Sequence, residues 1–419
     1  MASMRAKNAQ VTFPIDHARS QFPALTRSDA SVFFDNAAGA QIPQRVFDAV
    51  NEHLLLRNVQ RGGRYRESQE VDAGVKRARE VVAAFLNAGD PDEIAFGMNA
   101  TSFIRLISLA VGQSLTDRRE IIVTDLDHEA NIATWLALER DGAVVRWWKI
   151  RDNGSLFLED LQPLLSSKTR LVACTVTSNA LGSIVDVAAA AQLAHAAGAE
   201  LFLDCVHYAP HGPIDVQAWQ CDYLVCSGYK IFAPHMGFLW GRHEALDALP
   251  TFREDFLPNT APSKIEVGTF VYENVAGMTA AIQYLAGLAG STKDSNSLRQ
   301  RLQLAMFAIR DYEERLSHAF LEGLRSVPGS IVYGRQDEGE LNQRVPTFAF
   351  NLKNISANRL SSALAQKGFA VRDGHMYSPR LMKRLGLSPD EGLVRASLVH
   401  YNTQEEIGRF IRTLEEIAA

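Results

Sequence analysis

The stretch LDCVHYAPHGPIDVQAWQCDYLVCSGYK, residues 203–230, places an acid, Asp204, at the end of the apolar run LFLD. His207 follows three residues on. A second apolar run, DYLVCS, leads into a Ser-Gly-Tyr-Lys turn whose lysine, Lys230, is followed at once by Ile231, Phe232, Ala233 and Pro234. Short, almost continuous apolar runs with polar ends are the mark of strands in a parallel sheet buried on both faces. In such sheets ligands lie outside the carboxyl ends of the strands. A lysine buried there loses its proton readily and becomes a nucleophile able to form a Schiff base with an aldehyde. A carboxylate at the end of a neighbouring strand holds a pyridinium nitrogen protonated, which is the partner arrangement that pyridoxal phosphate needs. The plainer alternative is an edge-strand acid and a snorkelling surface lysine, and the surrounding sequence has to decide between the two.

Outward from this stretch the pattern repeats. Between residues 93 and 242, strands are expected at EIAFG, EIIVTDLD, AVVRWW, RLVACTVTS, ELFLDCV, DYLVCS and GFLWG. Helical stretches alternate with them; one has Asp186 as N-cap, an alanine-rich body and Gly198 as C-cap. The result is an α/β unit with a mostly parallel sheet covered by helices. Its polar residues fall at strand ends: Asp127 and His128, Ser178 and Asn179, Asp204 and His207, Ser227 and Lys230. That coincidence argues for one shared site. After residue 290 the alternation stops. A long helix over about 294–325 precedes strands at SIVYG, VPTFAFNL, FAVRDG and LVRASLV, and a last helix opens at Thr403 with a capping-box Glu406. The expected organisation is an N-terminal segment, 1–30, lying on a smaller α+β domain, 291–419, with the large domain over 31–290.

At 419 residues the chain exceeds one ordinary core, and its 47% hydrophobic and 22% charged residues suit a soluble globular protein. A net charge of −5 and the lack of a Lys/Arg block argue against nucleic acid. Arg57, Arg61, Arg64 and Arg66 do cluster, and read either as a loop near an anionic ligand or as a solvated face shared with Glu67 and Glu70. No apolar run reaches the roughly 18 residues of a membrane span, and MASMRAKNAQ has no secretory apolar core. Cys174, Cys205, Cys221 and Cys226 form no CxxC pair, so no metal site is expected; they read as reduced, buried residues of a cytoplasmic protein.

From FFDNAAGAQIP (33–43) to VRASLVHYNTQEEI (394–407) the chain resembles aminotransferase class V, the fold-type-I pyridoxal-phosphate enzymes that include cysteine desulfurases, selenocysteine lyases and isopenicillin N epimerases. The resemblance implies a mixed, mostly parallel seven-stranded sheet and pyridoxal 5′-phosphate as cofactor. It makes Lys230 the Schiff-base lysine and proton carrier, Asp204 the partner of the pyridine nitrogen, and His128, in DHEAN, the aromatic that stacks on the ring. Asn179 and His207 fall near the phenolic oxygen, although desulfurases usually have Gln where His207 stands. Ala100, Thr101, Ser227 and Tyr229 match phosphate positions, the last where desulfurases commonly carry His. Thr269, in VGTF, resembles a residue reaching the phosphate of a neighbouring subunit, which implies a homodimer with shared sites. Arg395 matches the clamp for the α-carboxylate of an amino-acid substrate, with Arg372 a weaker companion.

One departure bears on the chemistry. Group II desulfurases carry their nucleophilic cysteine in a loop close to VRxGHHC, whereas this chain reads VRDGHMY over residues 371–377. Tyr377 occupies the cysteine position, and persulfide formation needs a mobile thiolate there. The expectation is a desulfurase-like lyase that breaks a C–S or related bond by β-elimination, with epimerase or aminotransferase chemistry as alternatives. Tyr377 and His375 act as acid or base or else shape the pocket, and Arg61, Arg64, Tyr65 and His235 are further selectivity candidates. A non-catalytic scaffold would have no need of Lys230, Asp204, His128 and Arg395 together. A dehydrogenase fails for want of GxGxxG after a first strand.

Overall fold

A computed structural model describes residues 13–289 and 297–419. The first twelve residues of the expected N-terminal segment and the expected boundary at 290/291 lie outside them.

All seven strands expected between 93 and 242 join one sheet. By residue range its order is Ile94–Gly97, Gly237–Gly241, Tyr223–Ser227, Glu200–Asp204, Thr169–Thr175, Glu120–Thr124 and Val144–Trp148. Five neighbours run parallel, and only Gly237–Gly241 is antiparallel to both its partners. Strand side chains alternate between faces, and here both faces are apolar. Ile122, Val172, Leu203, Leu224 and Phe238 enter one cluster, while Ile121, Val123, Ala173, Phe202, Val225 and Leu239 enter the other. The second face is covered by the helix Ala100–Gln113 through Phe103, Ile104 and Ile107. Helices Arg66–Leu86, Val187–Ala196 and Tyr272–Gly287 supply apolar side chains to the first. Each fully buried Leu, Ile or Phe contributes about 1.5–3 kcal/mol of transfer free energy, which is why these strands read as unbroken apolar runs.

Asp186 does cap Val187–Ala196, its side chain accepting from the Ala189 amide at 3.1 Å. The cap at the other end is Ala197, and Gly198 is the residue beyond it, where φ of +72° suits a residue without Cβ.

The C-terminal part holds a four-stranded antiparallel sheet, ordered Arg372–Gly374, Leu393–Ser397, Thr347–Leu352 and Ser330–Tyr333. The long helix is Leu298–Ser326, opened by a capping box between Ser297 and Gln300. Thr403 and Glu406 box the last helix, Gln404–Ala418, as expected. FAVRDG is not one strand. Phe369–Ala370 pairs in parallel with Val32–Phe33, whereas Arg372–Gly374 pairs with Leu393–Ser397. Phe369 is drawn into an aromatic cluster with Phe34 and Phe410, while Arg372 is held by Asp35, so the chain changes sheets at Val371. Near the N-terminus Phe13 stacks on Tyr312 at 4.7 Å, and Arg19 pairs with Glu406 at 2.9 Å.

Candidate functional site

Three parallel strands end at one place. Thr175 lies beside Asp204 and Asp204 beside Val225, so the carboxyl ends of these strands open together into a cavity of about 340 Å³. From the strand ends and the turn after Tyr223–Ser227 come Asp204, Ser227, Tyr229 and Lys230; from the first turn of Ala100–Gln113 come Ala100 and Thr101, and from the loop before the helix Ala130–Leu136 comes His128. Asn179 and His207 complete the floor, and Arg372, Tyr377 and Arg395 reach in from the C-terminal part. Thr269, His375, His235, Arg61, Arg64 and Tyr65 do not line it. The arginine cluster is instead a solvated face: Arg61 pairs with Asp72 at 3.2 Å, Arg57 with Glu52, and Arg66 with Glu70.

One end of the cavity carries the positive end of a helix. Asn99 caps Ala100–Gln113 by accepting from the Ser102 amide at 2.9 Å, so the positive end of a four-turn helix faces the cavity. The Ala100 amide lies 3.4 Å from Ser227 Oγ. This approach requires Gly237, where a Cβ would come within 2.6 Å of the Asn99 backbone.

Lys230 closes the turn Gly228–Lys230, and Gly228 is obligatory because a Cβ there would meet the Pro234 carbonyl at 2.6 Å. The Lys230 amine donates to the Ala37 carbonyl and lies 5.0 Å from the centroid of the Tyr229 ring. Burial, reinforced by the Arg395 charge, brings its pKa down to about 7. Asp204 behaves oppositely. Burial raises its carboxyl to about 6, against the Val206 amide at 2.9 Å and the Lys230 charge. A cation placed beside it would restore the carboxylate. The His128 imidazole is lowered to about 4 by burial, then by Lys230 and Arg395, so it presents a neutral ring at ordinary pH. The ring stacks on Tyr377, with centroids 5.6 Å apart.

His207 is committed below the cavity, its Nε2 lying 2.9 Å from Thr347 Oγ1, and burial keeps it neutral. Asn179 is committed too: its Nδ2 donates to the Met376 carbonyl at 2.7 Å and its Oδ1 accepts from Ser378 at 3.2 Å. These bonds hold a loop in which Met376 and Tyr377 both have left-handed φ, 53° and 58°. Left-handed conformations cost non-glycine residues about 1–2 kcal/mol each. The Glu129 amide bonds the Tyr377 carbonyl at 2.8 Å and the Ser378 amide bonds the His375 carbonyl at 2.8 Å, which offsets that cost.

Arg395, 1% exposed, donates through Nη1 to the Asn179 carbonyl at 2.8 Å and through Nη2 to Asp35 at 3.2 Å, while its Nε has no partner. Arg372 takes the same carboxylate, at 2.8 Å through Nη2. Asp35 is the residue sequence reasoning missed. It stands inside FFDNAAG, but nothing local distinguishes a site carboxylate from a turn-forming Asp. Among the described residues no group of three His, Cys, Asp or Glu could hold a metal ion, and no helix is long and apolar enough to cross a membrane.

Residues 32–410 match the family model for aminotransferase class-V. The chain is 36% identical over 417 residues to an aminotransferase-like protein from Gibberella zeae, covering 97% of this chain and 99% of that one. A probable cysteine desulfurase from Synechocystis sp. is 33% identical over 416 residues, covering 95% and 94%. Among solved structures, the apo cysteine desulfurase from Thermococcus onnurineus NA1 superposes with a TM-score of 0.86 at 26% identity, covering 98% and 99% of the two chains.

Proposed function

Because the chain belongs to the aminotransferase class-V family of pyridoxal-phosphate-dependent enzymes, we propose that it acts on an amino acid as a desulfurase-like lyase, breaking a C–S or related bond at Cβ by β-elimination without a persulfide on the protein. The observation that carries this reading is Tyr377. It stands where the desulfurase loop pattern has its thiol, in a loop tied down through the Met376, Tyr377 and Ser378 backbone and the Ser378 side chain. The four cysteines offer no substitute. All are free and fully buried, and burial raises each thiol far above neutrality.

The cavity suits the cofactor by its donors. Thr101, Ser227 and the helix terminus at Ala100 would hold the phosphate, Tyr229 adds a hydroxyl, Asp204 would meet the pyridine nitrogen, and His128 offers a neutral ring face. Bound there, pyridoxal phosphate supplies an electron sink for the bond broken at Cα. Lys230 then moves the proton at Cα, for which an amine near pH 7 is matched. Arg395 receives the α-carboxylate, and its unpartnered buried Nε supports that role.

Product analysis separates the outcomes. Given L-cysteine, the holoenzyme is expected to release sulfide, ammonia and the 2-oxo acid, with no persulfide by mass spectrometry of the protein. Alanine with a cysteine persulfide would overturn the reading. D-isomer formation from an exchanged α-proton, or amino transfer to a 2-oxo acid, would establish the epimerase or aminotransferase alternative instead.

The active unit we propose is a homodimer in which Thr269 serves the partner's phosphate site. Thr269 lies away from its own cavity, on a segment with Phe252, Phe256 and Val267 at 85%, 83% and 71% exposure. Gln60 bonds Thr269 at 2.7 Å, joining this segment to the end of the helix Gln44–Arg57, where Leu55 is 82% exposed. So much exposed apolar surface supports the reading of an interface here. Sedimentation is expected to show a dimer, and Thr269→Ala to weaken cofactor retention several-fold; a monomer retaining full activity would sink the idea.

A further inference from the structure

We propose that Asp35 sets the charge of the substrate-carboxylate site and thereby restricts the enzyme to amino acids whose side chains carry no carboxylate. The inference rests on the reading that Arg395 binds the α-carboxylate and adds a substrate class to it.

The register of the C-terminal sheet makes Arg372 and Arg395 direct cross-strand partners. Side chains directly opposite in an antiparallel pair are about 5 Å apart, and like charges there repel. Nothing in the pairing itself relieves this. Relief comes from the far end of the chain, where a bridge between Asp35 and Ser397 brings the Asp35 carboxylate alongside. Its Oδ2 accepts from Arg372 Nε at 3.1 Å and Nη2 at 2.8 Å, and its Oδ1 from Arg395 Nη2 at 3.2 Å. The side chains of Asp35 and Arg395 are 13% and 2% exposed and that of Arg372 39%, so this is a cluster of two cations and one anion buried at its Arg395 end and open to water at Arg372.

The cluster therefore keeps one net positive charge, enough for one carboxylate. The other charged and titratable groups nearby are Lys230, the His128 and His207 imidazoles, which burial holds neutral, the Tyr229 and Tyr377 phenols, and Asp373, which is bonded to Asn358 on the outer side. Asp204 adds negative charge deeper in the same cavity. A substrate with a second carboxylate would bring an anion for which this cluster has no cation left, and uncompensated charge at its buried Arg395 end is costly. A neutral side chain meets no such cost.

The test uses the holoenzyme and two amino acids that lack an α-proton, 2-aminoisobutyrate and α-methylaspartate, with dissociation constants from titration calorimetry. The native protein is expected to favour the neutral ligand at least tenfold. Asp35→Asn, which leaves both guanidinium charges free, is expected to move the ratio at least tenfold toward α-methylaspartate. An unchanged ratio in a folded D35N protein overturns the proposal. The pair Asp35→Asn/Arg372→Gln restores one net charge and is expected to bring the native ratio back, which loss of structure alone would not do; a ratio that stays shifted counts against the idea. If D35N does not fold, Arg372→Gln alone decides, since it leaves Asp35 neutralising Arg395. It is expected to weaken 2-aminoisobutyrate at least tenfold, and unaltered binding overturns the proposal. Arg395→Ala tests the underlying reading separately: if both ligands bind it as they bind the native protein, the carboxylate does not sit there at all.

Discussion

Replacing Lys230 by alanine is expected to abolish turnover, by at least about 10⁴-fold, since in the proposed reaction it is both the nucleophile and the group that moves the proton at Cα. It is also expected to remove the covalent hold on the cofactor. After borohydride reduction and digestion, the native protein should carry the cofactor on the peptide containing residue 230, and the variant should carry none. The fold should survive, because the amine is buried against its desolvation preference and contributes one bond, to the Ala37 carbonyl. Residual turnover near the native rate would overturn the assignment. The same amine has a pH signature. With a pKa near 7 against an ordinary 10.5, Lys230 is largely neutral at pH 7.5. An ordinary lysine is then about one part in a thousand neutral. Cyanate applied to the cofactor-free protein should label Lys230 first, with a rate that rises with pH and is half-maximal near pH 7. Uniform labelling of the lysines would place the amine outside a desolvated site.

The second large effect is expected from Arg395→Ala. Truncating one partner of a buried, hydrogen-bonded charge pair costs about 2–5 kcal/mol, equivalent to about 30- to 4,000-fold in kcat/KM for a carboxylated substrate. Most of the loss should appear in KM, because the guanidinium holds the carboxylate before and during the reaction alike. Cofactor content should change little: the end of the cavity proposed to hold the phosphate, at Ala100 and Ser227, is built from other elements. Steady-state kinetics on an amine without a carboxylate provides the internal control, and that reaction should be unaffected. A variant with unchanged KM for the amino acid would take Arg395 out of the binding site.

Much of this was legible in the sequence because it is local. The strands could be read from their apolar runs, since those buried on both faces carry few polar positions to confuse the signal, the edge strand Val144–Trp148 with Arg146 being the half-exposed exception. Asp204, Ser227 and Lys230 stood out because each ends such a run. The split of FAVRDG was not legible, as no local preference tells a chain to leave one sheet for another; the destination of Phe369 depends on Phe34 and Phe410, far away in sequence. Nor could spacing say that Asn179 and His207 would spend their polar atoms on Met376, Ser378 and Thr347. The arginine cluster from Arg57 to Arg66 looked the same as a ligand loop and as a solvated face, and only the positions of Asp72, Glu52 and Glu70 separate the two.

By itself the sequence determined the sheet, the lysine at its carboxyl edge, and the absence of a thiol at position 377, since these depend on periodicity and residue identity. Tertiary structure alone decided the electrostatics of the site. The pKa of Lys230 is brought down to about 7 by burial and by Arg395, 165 residues further along the chain. Arg395 in turn faces Arg372 and shares Asp35 with it, from opposite ends of the sequence. The energy of a charge is set by what surrounds it within a few ångströms, and those surroundings exist only once the chain has folded.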